Sequence, residues 1–203
     1  MRTLQAGERA ALSDLGAGDT TEVTIEAGLS GTDVTAFGLQ EGRLTDDRYM
    51  VFYNQPSSPE GAMQLLEQGP RTRFSVNLLA LPPQITEVVF AATHSEQPFA
   101  GTLLRVNLGQ ATFDASSALA AEKAVMLLRL YRHAGQWRAA AIGQGFDGGL
   151  AALVQHFGGE VAAETAPSAP PAEAAPCTAA ASSPQQGGPP QAKSRGRATQ
   201  ARH

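Results

Sequence analysis

Between Thr20 and Ile142 the chain divides into short segments in which apolar and polar residues alternate, or β-branched and aromatic residues cluster, each bounded by turn formers. This is the pattern of an all-β domain. Thr20 to Glu26 sets Thr21, Val23 and Ile25 on one face and Glu22, Thr24 and Glu26 on the other, predicting a half-buried strand. Asp33 to Gln40 reads as a second strand, returned by a turn at Glu41-Gly42 before Arg43-Leu44. Tyr49 to Tyr53 reads as a third, closed by Asn54, Pro56, Ser57, Ser58 and Pro59, which favour turns and cannot extend a ladder. Arg73 to Leu78 predicts a fourth, ended by Pro82-Pro83. Glu87 to Thr93 is continuously apolar through Val88, Val89, Phe90, Ala91 and Ala92, as expected of a central strand buried on both faces. Leu103 to Leu108 and Thr112-Phe113 are shorter candidates.

Ala124 to Tyr131 suits either a helix or a strand by composition. The short link Arg132 to Gln136, with Gly135 inside it, leads to Trp137 to Ile142 and favours a β-hairpin. Gly148 to Phe157 is the one helical segment: Leu150, Leu153, Val154 and Phe157 recur at i, i+3, i+4 and i+7, and Gly158-Gly159 supplies the stop. From Glu160 onward Ala, Pro, Ser, Gln and Gly dominate, a composition that cannot offset its ordering entropy by burial and is expected to be disordered.

The 203 residues therefore divide into one domain, 1–159, and a tail, 160–203. Charge divides the same way. The domain carries 11 Lys/Arg against 16 Asp/Glu, net −5, and the tail four against three, net +1. A mildly acidic body does not suggest a nucleic-acid footprint, since phosphate binding needs a clustered basic face. The weakly basic tail end, Lys193 to His203, reads as a solubilising segment, with contact to nucleic acid or an acidic partner as the alternative. The single cysteine, Cys177, excludes an intramolecular disulfide. Neither an apolar leader nor a run of about 20 apolar residues is present, so the expectation is a cytoplasmic protein without membrane insertion.

Gly143-Gln144-Gly145-Phe146-Asp147-Gly148 fits the G-x-G-x-x-G pattern between a strand and a helix. A dinucleotide site also needs a crossover of about 30 residues with a following acid; here the helix leads into the tail, so these glycines are read as permitting a tight strand-to-helix turn. His94, His133, His156 and His203 have no metal-ligand spacing, and neither a nucleophile elbow nor a phosphate loop is present. The chain is accordingly expected not to be an enzyme and to need no cofactor. For calcium, Asp33, Asp46, Asp47 and Asn54 lie at strand starts and turns and form a residual candidate site, short of the six to eight oxygens that the ion takes.

Four motifs carry a family resemblance: Asp33-Val-Thr-Ala-Phe37, Val51-Phe-Tyr-Asn-Gln-Pro-Ser-Ser-Pro-Glu-Gly61, Leu130-Tyr-Arg-His-Ala-Gly-Gln-Trp137 and Ala141-Ile-Gly-Gln-Gly-Phe-Asp-Gly-Gly-Leu-Ala-Ala-Leu153. In this order, over roughly residues 1–159, the chain resembles the TerD family of tellurium-resistance and general stress proteins. The resemblance implies a mainly β fold, a TerD-like β-sandwich with a short C-terminal helix. It also implies a cytoplasmic location, no established catalysis, and calcium binding in some members. The family's Asp-x-Asp pair is matched here by Gly31 and Asp33, and its acidic loop by Ala62 to Arg73, whose single acid is Glu67 beside Arg71 and Arg73. Tyr49 stands where an acid often precedes the strand. These departures resemble the divergent TerA-like branch. They imply a stress-response protein that acts by association with other Ter-type or stress-response proteins, through the Asn54 to Gly61 loop and the Tyr131 to Trp137 hairpin, with calcium binding weak or lost. A calcium-responsive module is the alternative.

Overall fold

The computed structural model describes residues 2–159; the tail expected from residue 160, with Cys177 and His203, lies outside them. Twelve strands and one helix follow in chain order: β1 (Arg2–Leu4), β2 (Arg9–Ala11), β3 (Thr20–Ala27), β4 (Asp33–Leu39), β5 (Met50–Val51), β6 (Met63–Glu67), β7 (Arg71–Asn77), β8 (Glu87–Thr93), β9 (Leu104–Leu108), β10 (Ala111–Asp114), β11 (Ala124–His133), β12 (Gln136–Phe146) and α1 (Gly149–His156). They form two six-stranded sheets, ordered β1-β10-β9-β3-β7-β6 and β2-β12-β11-β8-β4-β5. Pairing is antiparallel throughout, apart from β1 on β10.

The period-2 pattern decides which face of each strand is buried. Val23 and Ile25 of β3, Phe74 and Val76 of β7, and Leu104, Val106 and Leu108 of β9 turn inward from the first sheet. Val34, Ala36, Val88, Phe90, Val125, Leu127, Ala139 and Ala141 meet them from the second. An edge-on contact between Phe74 and Phe90, centroids 5.5 Å apart, joins the two layers. The continuous apolar run in β8 has a second partner. Val89 and Ala91 face outward and, with Phe37, Leu39 and Met126, are covered by Leu153, Val154 and Phe157 of the helical segment. Strands buried on both sides therefore occur only in the sheet that carries α1, as the unbroken hydrophobicity of Glu87–Thr93 anticipated.

Both short turns follow from local chemistry. Glu41 and Gly42 adopt positive φ, 51° and 80°, between the reciprocally bonded Gln40 and Arg43. Ala134 and Gly135, at 49° and 78°, close the β11–β12 hairpin between His133 and Gln136. Two consecutive left-handed residues match the twist of the strands they join.

Several expectations need correction. The strand predicted over Tyr49 to Tyr53 shrinks to Met50–Val51: Asp46 accepts a bond from the Arg48 amide and winds Asp47–Tyr49 into a 3₁₀ turn, while Phe52 and Gln55 exchange backbone bonds and double the chain back. In α1 the apolar stripe begins at Leu153, and Leu150 is 45% exposed. β1 and β2, three residues each, are too short to show alternation. β6 escaped detection because an irregularity between Leu65 and Glu67 breaks its period. No helix among the described residues is long and apolar enough to cross a membrane.

Candidate functional site

The four oxygen-bearing residues expected to converge on calcium do not share one place. Asp33 opens β4, whereas the pairing of Phe37 with Met50 brings Asp46 and Asp47 in beside the opposite end of that strand. Six residue steps of extended chain separate those ends by about 20 Å. The Asp46 carboxylate is engaged by Arg48, whose Nε donates at 3.0 and 3.1 Å and whose terminal nitrogen donates at 2.7 Å. Those bonds, followed by the one from the Arg48 amide, hold the Asp46 carboxyl below the usual carboxylate range. The Asp47 carbonyl accepts from the Gln55 amide nitrogen at 2.8 Å, and Asn54 is exposed on the turn that Phe52 and Gln55 close. Among the described residues no three His, Cys, Asp or Glu side chains lie close enough to hold a metal ion. A hard cation needing six to eight oxygens does not fit this arrangement.

What the fold gathers around Asp33 is different. A cavity of about 350 Å³ at the start of β4 is lined by Asp33, Thr93, His94, Lys123, Asp147 and Leu150. Asp147 was not singled out from the sequence; its signal was its place in Gly145-Phe-Asp-Gly-Gly149, which the strand-to-helix reading absorbed. His94 is committed to structure. Its Nδ1 accepts the amides of Glu96 and Gln97 at 3.1 and 2.8 Å, so Nε2 carries the proton and donates to the Ser30 carbonyl at 3.1 Å. Both ring nitrogens are used, leaving neither for a ligand or a proton transfer. The nearby glycine pattern is structural as well: Gly143 sits at φ 69°, where an added Cβ would lie 3.0 Å from the Phe113 ring.

At the hairpin, Arg132 lies with its guanidinium 5.1 Å from the centre of the Trp137 ring. Trp137 is partly buried against the core, and its remaining surface lines a groove of about 480 Å³ with Leu12, Leu79, Arg132 and Gln136. Leu79 is 74% exposed there, the most open of the large apolar side chains among the described residues. An exposed leucine beside a cation-capped tryptophan is chemistry suited to protein contacts. Sequence reasoning missed Leu79, because it follows Asn77-Leu78 directly and only the strand's end shows that it turns outward.

The Asn54 to Gly61 loop is held by its own polar groups. The buried Ser58 hydroxyl donates to Glu60 at 2.9 Å and accepts the Met63 amide at 3.1 Å. The Tyr49 hydroxyl donates to the other Glu60 oxygen at 3.0 Å. Burial, and then this bond to a carboxylate, push the Tyr49 phenol above its ordinary value. Pro56 accepts the Leu65 amide, so the loop covers the edge of β6. Tyr53, which precedes the loop, is 53% exposed and lies edge-on to Phe52.

Known proteins resemble this chain in sequence and in fold. Tellurium resistance protein TerA of Alcaligenes sp is 33% identical in an alignment of 129 positions that covers 60% of this chain and 38% of that protein, so the chain matches about two fifths of TerA. Tellurium resistance protein TerD of Serratia marcescens is 27% identical over 147 residues, covering 62% of this chain and 77% of its own. The crystal structure of a homologue of telluride resistance protein (TerD) from Streptomyces coelicolor A3(2) has the same fold, with a TM-score of 0.53 at 17% identity over 66% of this chain and 94% of that one. The TerD domain matches residues 1–157, from the N-terminus to the Phe157 that closes the outer core, and the chain belongs to the TerD family.

Proposed function

We propose that this protein serves a tellurium-resistance or related stress response by binding other proteins, without catalysis and without a resident cofactor, in the cytoplasm. The reading is supported chiefly by the hairpin groove, where Leu79 is exposed beside the Arg132–Trp137 stack. Its partners are other Ter-type or stress-response proteins. The test is co-purification of the full chain with co-expressed Ter-type proteins. Leu79→Asp and Trp137→Ala are each expected to weaken association at least about tenfold, as central interface residues do. Melting of Leu79→Asp should stay close to the parent, because that side chain lies outside the core. Undiminished association of both variants would remove the groove from the reading.

A calcium-responsive module is the competing reading, and its support is that Asp33 and Asp147 line one cavity. Lys123 lines the same cavity and opposes a cation there. A melting temperature raised by calcium but not magnesium, and no longer raised in Asp33→Ala, would favour this alternative.

A further inference from the structure

The outer face of the second sheet is only half covered by α1, and the other half collects arginines. Ala10 of β2 points into the core, so Arg9 points out; Leu128 and Leu130 of β11 point in, so Arg129 points out. Ala139 and Ala141 of β12 likewise point in, which turns Arg138 and Ala140 outward. Register then fixes the grouping. Ala140 is paired with Arg9 on one side and with Arg129 on the other, and Arg138 precedes it by two residues on the same face. Register thus places three arginine positions around Ala140 on one face of the sheet. Beside them lies a cavity of about 290 Å³ lined by Arg9, Glu87, Arg129, Ile142, Gln144 and His156.

The charge of this cluster is not neutralised from within. Glu87 is the one acid on the cavity wall, 3.6 Å from an Arg129 terminal nitrogen. Among the described residues, neither Arg9 nor Arg138 has an ion-pair partner. The Nε–H groups of Arg129 and Arg138 are buried from solvent without a hydrogen-bond acceptor. Buried donors normally find one. The Arg129 guanidinium also lies 5.1 Å from the Tyr131 ring centre, a contact that orients it but accepts no hydrogen bond in the guanidinium plane. In a chain of net charge −4, two arginines face one glutamate on the cavity wall, and Arg138, two residues from Ala140 on the same face, brings the local surplus to two positive charges.

We propose that this face binds the phosphate group of a small phosphate ester, seated over Ala140 between Arg9 and Arg129 with Arg138 at its side. Guanidinium forks match the oxygens of a phosphate in geometry, and the dianion matches the surplus charge. Ile142, half-buried on the cavity wall, gives the ester's carbon portion an apolar contact. Glu87 holds Arg129 until the phosphate displaces it. The site is on a different face from the hairpin groove and stands independently of the association reading.

Calorimetric titration of the full chain at constant ionic strength, with inorganic phosphate and with glycerol phosphate as probes and chloride as control, tests the assignment. Both phosphates are expected to bind, the ester more tightly. Arg9→Gln, an exposed position that leaves the core intact, and Arg129→Gln are each expected to weaken binding at least about tenfold, while Arg73→Gln on the other sheet leaves it unchanged. Absence of binding beyond the chloride control, or parent-like binding in both Arg9→Gln and Arg129→Gln, overturns the proposal. Ester binding no tighter than inorganic phosphate overturns the assignment to an ester. Uptake of an acidic peptide, lost in Arg9→Gln, by a protein that takes up neither phosphate would overturn the phosphate assignment and reassign the face to a protein partner.

Discussion

On the outside of the first sheet, every arginine finds a carboxylate across a strand. Arg73 meets Glu22 at 3.0 Å and Glu67 at 3.6 Å, Arg71 meets Glu26 at 3.8 Å, and Arg105 lies between Glu26 at 3.9 Å and Asp114 at 2.9 Å. Outside the second sheet the same residue type is left with one acid among three. The first face carries a cleft of about 710 Å³ and the second a cavity less than half as large. Size alone would direct attention to the wrong one. The larger cleft is a flat, threonine-rich wall whose charges are mutually satisfied, as expected of a solvated antiparallel face. The smaller cavity has binding capacity left over.

The faces also differ in what their side chains contribute to stability, and the largest test exploits the helix. Phe157 is 3% exposed and packs on Phe37 with ring centroids 5.1 Å apart. Phe157→Ala is expected to cost about 3–5 kcal/mol, the range for truncating a buried aromatic. Thr24→Ala, on the outer face of β3, should stay within about 0.5 kcal/mol. Urea unfolding of both variants measures the contrast, and equal losses would remove it.

A smaller effect compares arginine with arginine. Arg105→Leu breaks two cross-strand ion pairs and is expected to cost about 1 kcal/mol, since each exposed pair contributes only a few tenths to one. Arg138→Leu breaks no ion pair, removes a donor buried without an acceptor, and is expected to leave stability within about 0.5 kcal/mol or raise it. Thermal melting of the pair checks the order. A larger loss at Arg138 would mean that this side chain supports the fold instead of standing ready for a ligand.

These distinctions explain which features could be read from the chain. The strand at Glu87–Thr93 was legible because burial on both faces writes an unbroken apolar run, and the hairpin because the link Arg132 to Gln136 is short and contains Gly135, which takes the left-handed conformation at φ 78°. The helix was legible from Leu153, Val154 and Phe157, while Leu150 fitted the same spacing and nevertheless faces the cavity beside Asp33. The sites were not legible. Arg9, Arg129 and Arg138 sit on three strands, and only the register that pairs Ala140 with two of them makes them neighbours. Asp33 and Asp147 meet because β4 and the β12–α1 turn end together; Asp33 and Asp46, closer in sequence, are separated by the length of β4. Sequence proximity along an extended strand measures distance, whereas proximity across a sheet depends on pairing that no local window contains.

The finest test of the contrast is its dependence on pH. Asp114 accepts hydrogen bonds around Ser116, whose hydroxyl contributes most, and pairs with Arg105; together these hold its carboxyl below the ordinary aspartate range. A carboxylate favoured in the folded state contributes fully above its unfolded value of about 3.9 and loses that contribution as pH falls through the lower folded value. The side chain remains 36% accessible, so screening keeps the effect to a few tenths of a kcal/mol. Asp114→Asn should therefore be slightly less stable than the parent at pH 7, and urea midpoints of the two proteins should draw together as the solution is acidified below the ordinary aspartate range. Arg138→Leu, which removes no carboxylate partner, should show a difference from the parent that does not narrow over the same interval. A gap that narrows for Arg138→Leu as it does for Asp114→Asn would show that the arginines of the second sheet are already neutralised by acids, and the two faces would then be alike.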